Sequence, residues 1–432
     1  MKLKERAKKR VKMAGVQLLF HQRRAVENFN GYAYFAWETG TGKTLAALKI
    51  AENFKNVLIM CPAAVQTVWW NEIEKWGIRL RNVEVVSYDY FRMHTDEILK
   101  KNFWNFVIFD EAHKLKNVKA KITKLVMKIF SKTYKVMLSG TPFEKHEDYY
   151  AQLRILRPDH PFQRLSFREY KERFFVIDDR FHYIISFKSR LMKEEFFEKY
   201  VSPYVYFVRR SDVVELPSLI EDNKFFSSNN YLIDDKDEMN DFDLMEREWS
   251  FLGEEENILK AFMYRYKKSA LLRDKIEYAA DFIADNPQTV VFSYFLEPLH
   301  LITKKVKDVY FINGQNKKDL DVALKRGEKP ILATYCISEG INLTHYKNII
   351  FLCLPLAWRV YEQALSRVWR YGQSDKVYLQ RLIDRNGIDG RVWEILKQKK
   401  NVLDELKLRS LLYRERAKEL TRKENSASIQ NI

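Results

Sequence analysis

The chain has 432 residues, 46% of them hydrophobic, so it can bury substantial cores and has the length of two or three domains rather than of a disordered tether. Lysine and arginine number 75 against 58 aspartate and glutamate, a formal charge of +17, which favours a polyanionic partner, nucleic acid ahead of an anionic membrane surface. Cys61, Cys336 and Cys353 are widely separated in apolar runs, which excludes a disulfide framework and a CxxC zinc site and fits a reducing cytosol.

In chain order, residues 1–15 form a basic tail, either frayed or an added duplex contact. Its apolar run is too short for a signal peptide and no run in the chain approaches a membrane span, so a soluble cytoplasmic protein is expected, nucleoid-associated, or in the host cytoplasm if the source is viral. Over 16–160, "YAYFAW", "NVLIMCP", "VEVVSY", "FVIFD" and "YKVMLSG" alternate with helical patterns and predict an α/β lobe with a buried parallel sheet. Residues 161–274, rich in aromatic and charged residues, read as a helical insertion and linker. Over 275–395, "TVVFSYF", "VYFING", "PILATY", "NIIFLCLP" and "KVYLQRLI" predict a second α/β lobe. Val392, Ile395, Leu396, Val402, Leu403 and Leu406 fall at near-helical spacing, so 396–432 is expected to be a bracing helix and a polar tail.

The stretch Thr39, Gly40, Thr41, Gly42, Lys43 and Thr44 follows a strand-like run and precedes a helical one. That order presents backbone N–H groups to phosphate oxygens, the Lys43 ammonium to β/γ charge and the Thr44 hydroxyl to Mg²⁺. Four apolar residues then lead into Asp110 and Glu111, one carboxylate to hold Mg²⁺ and the other to orient and polarise the attacking water. Hydrolysis of the nucleotide is therefore expected. His113 is either a solvated turn residue or a relay of nucleotide state. Gln22 has an amide able to pair with the adenine edge, which favours ATP over GTP. In "YEQALSRVWRYGQ", Gln363, Arg367 and Arg370 share one helix face opposite Tyr361, Ala364, Leu365 and Val368. This is either a solvated basic face or a pair of arginines for the γ-phosphate.

Together, Gln22, the GTGKT loop, the string Asp-Glu-Ala-His at 110 to 113, "LSGTP" at 138 to 142 and the paired arginines resemble superfamily 2 helicase motors. "DEAHKLKN", "NVLIMCPAAVQTVWWNEIEKW", "VRRSDVVELPSLIE" and "ILATYCISEGINL" followed by "QALSRVWRYGQSDKVYLQRLI" are similar to the Swi2/Snf2-like branch, over about residues 16 to 396. Ala64, Ile337, Ser338 and Asp212 depart from that branch's usual residues. The resemblance implies an α/β fold of two RecA-like lobes with ATP and Mg²⁺ between them and duplex DNA across both. It implies catalytic roles for Lys43, Asp110, Glu111, Arg367 and Arg370, and adds Gly340 and Asn342 to the ATP site. It gives His113, Ser139, Thr141, Gln363, Arg209 and Arg210 a coupling role and makes Trp69, Ser293 and Thr334 DNA contacts. Arg209 and Arg210 are otherwise solvated charges after "YVYFV".

The function this implies is an ATP-dependent double-stranded DNA translocase that remodels branched or forked DNA. It would work as a monomer, off the membrane, beside recombination or replication proteins. Displacement of proteins from DNA is an alternative in the same class, and a nucleotide-gated DNA-binding scaffold with little hydrolysis is one from another class.

Overall fold

Runs such as Asn56–Cys61 and Phe106–Asp110 are apolar at nearly every position, a pattern that suits a strand covered on both faces. In the computed structural model, which describes residues 11–13, 16–178, 183–213, 215–232, 255–313, 327–335, 343–370, 372–398 and 402, they lie at the centre of a parallel sheet. The chain divides into two units, 1–215 and 216–432.

The first unit begins with an antiparallel pair, β1 (Val11–Met13) and β2 (Val16–Leu18). The predicted strands follow as β3 (Tyr32–Trp37), β4 (Asn56–Cys61), β5 (Asn82–Ser87), β6 (Phe106–Asp110) and β7 (Tyr134–Leu138). A small antiparallel pair, β8 (Phe175–Ile177) and β9 (Ile184–Phe187), precedes β10 (Val205–Val208). The main sheet runs β10-β3-β7-β6-β4-β5 with every pair parallel.

Alternate residues feed two separate cores, as a period of two requires. Tyr34, Ala36, Val107 and Phe109 enter one core, and Phe35, Trp37, Phe106 and Ile108 the other. Both faces are thus covered by helices, the arrangement that parallel strands need.

The division at 215 falls inside the segment expected to be one insertion. Its first part packs on the first sheet because it is aromatic: Phe162, Tyr170, Phe174 and Phe196 are buried together in ring contact, and such side chains bury large areas. It also supplies the edge strand β10.

The second unit contains β11 (Leu219–Phe226), β12 (Thr289–Ser293), β13 (Tyr310–Ile312), β14 (Ile331–Thr334), β15 (Asn348–Phe351) and β16 (Val377–Asp384). Their order is β11-β16-β15-β12-β14-β13, again with all pairs parallel. The fold is therefore two parallel-sheet α/β units, as the sequence pattern predicts. The segment before the second lobe again contributes an edge strand, since β11 pairs with β16 along all eight of its residues.

Among the described residues, no helix is long and apolar enough to cross a membrane. The tail over 1–10 and the C-terminal segment beyond residue 402 lie outside the described residues, as does Leu406 of the expected bracing helix.

Candidate functional site

In the first unit, β3, β7 and β6 are adjacent and parallel, with Leu138 level with both Phe35 and Asp110. Their carboxyl ends therefore bring three separated stretches together: the loop after Trp37, the Ser139-Gly140-Thr141 turn and the Asp110-Glu111 pair. This is the end of an open α/β sheet at which ligands bind.

The loop turns through Gly40 and Gly42, both at positive φ, and Gly42 caps the helix Lys43–Ala51 from the left-handed region. A Cβ at Gly42 would also lie 2.1 Å from Gln22 Nε2, so the position needs glycine on two counts. Thr41 is buried, and its hydroxyl donates to the Glu38 carbonyl at 2.8 Å. Lys43 and Thr44 open the helix, where free N–H groups favour an anion.

Gln22 lies on the helix Phe20–Glu27, buried against this loop. Its Nε2 donates to the Gly42 carbonyl at 3.0 Å and its Oε1 accepts from the Leu19 N–H at 2.8 Å. The amide expected to meet an adenine edge is thus engaged in holding the loop. Its neighbour His21, which sequence reasoning missed, places Nε2 2.9 Å from the Thr41 carbonyl. Burial holds the His21 imidazole below its ordinary pKa, with the Thr41 contact opposing.

At the end of β6, Asp110 Oδ1 accepts from the Glu111 N–H at 3.0 Å, and Oδ2 accepts from the Trp69 indole at 2.9 Å. Burial, reinforced by the neighbouring Glu111, raises the Asp110 carboxyl to about 6, against the pull of the Lys43 ammonium. Glu111 has φ of 50°, the one positive value for a non-glycine among the described residues. Such a backbone costs on the order of 1–3 kcal/mol and tends to mark functional turns. His113 is buried rather than solvated, with Nδ1 3.2 Å from Glu111 Oε2 and 3.1 Å from Ser139 Oγ. Ser139 Oγ in turn accepts from the Thr141 N–H at 3.2 Å. Gly140 packs on Thr39, since a Cβ there would lie 3.1 Å from its hydroxyl. A continuous polar path thus links Glu111, His113, Ser139 and Thr141 beside the loop.

Trp69 was expected at the duplex. The side chain is 2% exposed in the core, and its one donor is given to Asp110. Arg209 and Arg210 follow β10, whose Val208 pairs with Trp37. The Arg210 N–H donates to Glu38 Oε2 at 2.9 Å, and the Glu38 N–H donates to the Val208 carbonyl at 3.0 Å. Arg210 is buried, which excludes the solvated reading for it and ties this segment to the phosphate-binding loop.

In the second unit, the helix Trp358–Val368 carries Gln363 and Arg367, both buried, so their side is no solvated basic face. Arg370 lies two residues beyond the helix and its carbonyl accepts from the Gln373 N–H at 3.1 Å. Tyr361, Ala364, Leu365 and Val368 pack into the core as expected. Ser293 ends β12 fully buried, its hydroxyl donating to the Phe295 carbonyl at 2.7 Å. The same oxygen accepts from the Phe295 N–H at 3.2 Å. Thr334 ends β14 half-buried. Gly340 and Asn342 lie outside the described residues.

Two family descriptions match the chain: the SNF2-related domain over residues 77–179 and the helicase conserved C-terminal domain over 274–372. The first span includes Asp110 and Glu111, and the second includes Arg367 and Arg370. The chain is 26% identical over 414 residues to the SWI/SNF-related matrix-associated actin-dependent regulator of chromatin subfamily A-like protein 1 of Drosophila melanogaster, covering 85% of this chain and 53% of that protein. It is 25% identical to the ATP-dependent helicase YqhH of Bacillus subtilis, over 89% of this chain and 77% of that one. The chain thus spans about half the length of the fly relative. Among solved structures, the Sulfolobus solfataricus SWI2/SNF2 ATPase core in complex with dsDNA aligns with 92% of this chain at 20% identity and a TM-score of 0.40.

Proposed function

We propose that the chain, which matches an SNF2-related domain over 77–179 and a helicase conserved C-terminal domain over 274–372, is a Snf2-like DNA-dependent ATPase that moves along duplex DNA and remodels branched or forked DNA. The observation that carries this reading is the meeting of loop, acidic pair and Ser-Gly-Thr turn at the ends of β3, β6 and β7.

The residues suit MgATP. Asp110 and Thr44 offer hard oxygen donors, and the described residues contain no group of three or more His, Cys, Asp or Glu that could cage a metal. Mg²⁺ is held in that way, by one or two carboxylates plus substrate phosphates. When bound, it neutralises charge developing on the β and γ oxygens. The loop N–H groups and the Lys43 ammonium hold the phosphates. Glu111 orients the attacking water, and His113 and Ser139 carry the state of that carboxylate towards Thr141. The resemblance implies that Arg367 and Arg370 serve the γ-phosphate, a contribution on the order of 10³ to 10⁵ in rate where such arginines act. The net charge of +17 supports a polyanionic track, and the branched substrate follows from the resemblance to fork-remodelling members of the branch. The working form is a monomer, with recombination or replication proteins as its partners.

The test is steady-state ATPase activity at fixed salt with no nucleic acid, single strands, linear duplex, a fork and a four-way junction. Stimulation by duplex, greatest for fork and junction, is expected. Equal stimulation by all duplexes removes the branched substrate, and negligible turnover in every case contradicts the ATPase. Lys43→Ala should abolish turnover while leaving most duplex affinity in a gel-shift measurement.

A further inference from the structure

The helix Lys121–Ile129 joins β6 to β7 and is assigned nothing above. At 3.6 residues per turn, Lys121, Lys124 and Lys128 fall within an arc of about 60°. Thr123 and Val126, both fully buried, lie on the opposite side, and Phe130 continues that inner face. The three lysines are exposed, as are Lys119 before the helix and Lys132 after it. Residues 112–143 contain eight lysines and no aspartate or glutamate.

Nearby acids are taken by other cations. Asp89 lies 3.7 Å from Arg92, and Glu144 and Asp148 lie 2.6 and 3.8 Å from Lys116. Among the described residues, no carboxylate is within ion-pair distance of Lys119, Lys121, Lys124, Lys128 or Lys132. Like charges three and four residues apart disfavour a helix. A face that served only solubility would mix both signs, whereas a single-sign face attracts a polyanion.

We propose that this lysine face is a contact for the phosphate backbone of duplex DNA, separate from the nucleotide site. Lys121 and Lys128 stand roughly 10 Å apart along the helix axis at 1.5 Å per residue, the rise of about three phosphates on one strand at 3.4 Å. Ammonium groups on flexible stems follow a backbone without reading bases, so the contact is independent of sequence. It rests on the reading of the chain as a duplex-bound motor.

The experiment measures affinity for a fluorescent linear duplex against salt concentration. It compares the full chain, the triple variant Lys121→Gln/Lys124→Gln/Lys128→Gln, and a control of equal charge loss, Lys188→Gln/Lys193→Gln/Lys199→Gln. With one phosphate released per lysine, the slope of log affinity against log salt should fall in magnitude by about 2.7, and affinity at 0.1 M salt should drop tenfold or more. The control should keep the parent slope, and the corresponding Lys→Arg triple should restore binding, which separates lost charge from lost folding. An unchanged slope in the Gln triple, or an equal loss in the control, overturns the proposal while leaving the duplex-stimulated ATPase standing. An equal loss of binding to poly-glutamate would make the face a general polyanion surface and also overturn it. If the unaltered chain binds no duplex, the motor reading fails and takes this contact with it.

Discussion

The Trp69 indole holds one oxygen of the carboxylate assigned to the metal. A hydrogen bond to a charged group is worth about 1.5–3 kcal/mol net, and loss of a residue that orients a metal ligand typically costs about 10–100-fold in metal affinity or activity. Trp69→Phe keeps the buried ring and removes the donor. It should raise the half-saturating Mg²⁺ for binding of a fluorescent ATP analogue by that factor, with little change in metal-free binding. A second residue, Lys135, makes a pH prediction. Its ammonium is buried, donating to the Ser131 and Ile155 carbonyls at 3.2 and 3.1 Å, and burial lowers its pKa to about 7. The unfolded lysine titrates near 10.4, so between about 7 and 10 the unfolded chain binds more protons and stability rises with pH. Below 7 both states are charged and the burial penalty is fully present. Urea melts of Lys135→Met and the unaltered chain should therefore diverge in favour of the lysine as pH rises from 7 to 9.5, and parallel curves would contradict the assignment. The placement of Lys43 at a helix start and of Asp110 at a strand end was legible because each borders an apolar run. The Trp69–Asp110 and Gln22–Gly42 hydrogen bonds were not legible, because they join residues 41 and 20 positions apart.

At the scale of elements, the central strands were readable because burial on both faces makes them apolar throughout, as in Asn56–Cys61. Of the four edge strands, β5 and β13 were predicted and β10 and β11 escaped notice. β11 reads Leu-Ile-Glu-Asp-Asn-Lys-Phe-Phe, with Ile220 and Phe225 exposed, and β10 leaves Phe207 half exposed. An edge strand packs on one side only, so its sequence carries a weak period. Helix attachment in the second unit depends on charge as well as packing. Lys275, on the helix Arg273–Asp285, lies 2.6 Å from Asp389, which opens the helix Asp389–Lys397, and both are fully buried. The Asp389 carboxylate also accepts from the Asp384 N–H at 2.9 Å. Removing one partner leaves an uncompensated buried charge, at a cost of about 3–5 kcal/mol. Lys275→Met should lower the urea midpoint accordingly, whereas the double variant Lys275→Met/Asp389→Leu should recover much of the loss.

For the whole molecule, each six-stranded sheet is parallel, and the two sets of motifs fall one to a unit: the glycine loop and acidic pair in the first, the paired arginines in the second. With a charge of +17, these motifs make movement along DNA the central claim. The measurement that bears on it most directly is displacement of a third strand from a triplex placed at the end of a duplex, where no base pair of the duplex needs to open. With ATP the unaltered chain should release the third strand, and neither a non-hydrolysable analogue nor Lys43→Ala should support release. Rapid duplex-stimulated hydrolysis with the third strand left in place would contradict movement along DNA, as would equal release by Lys43→Ala.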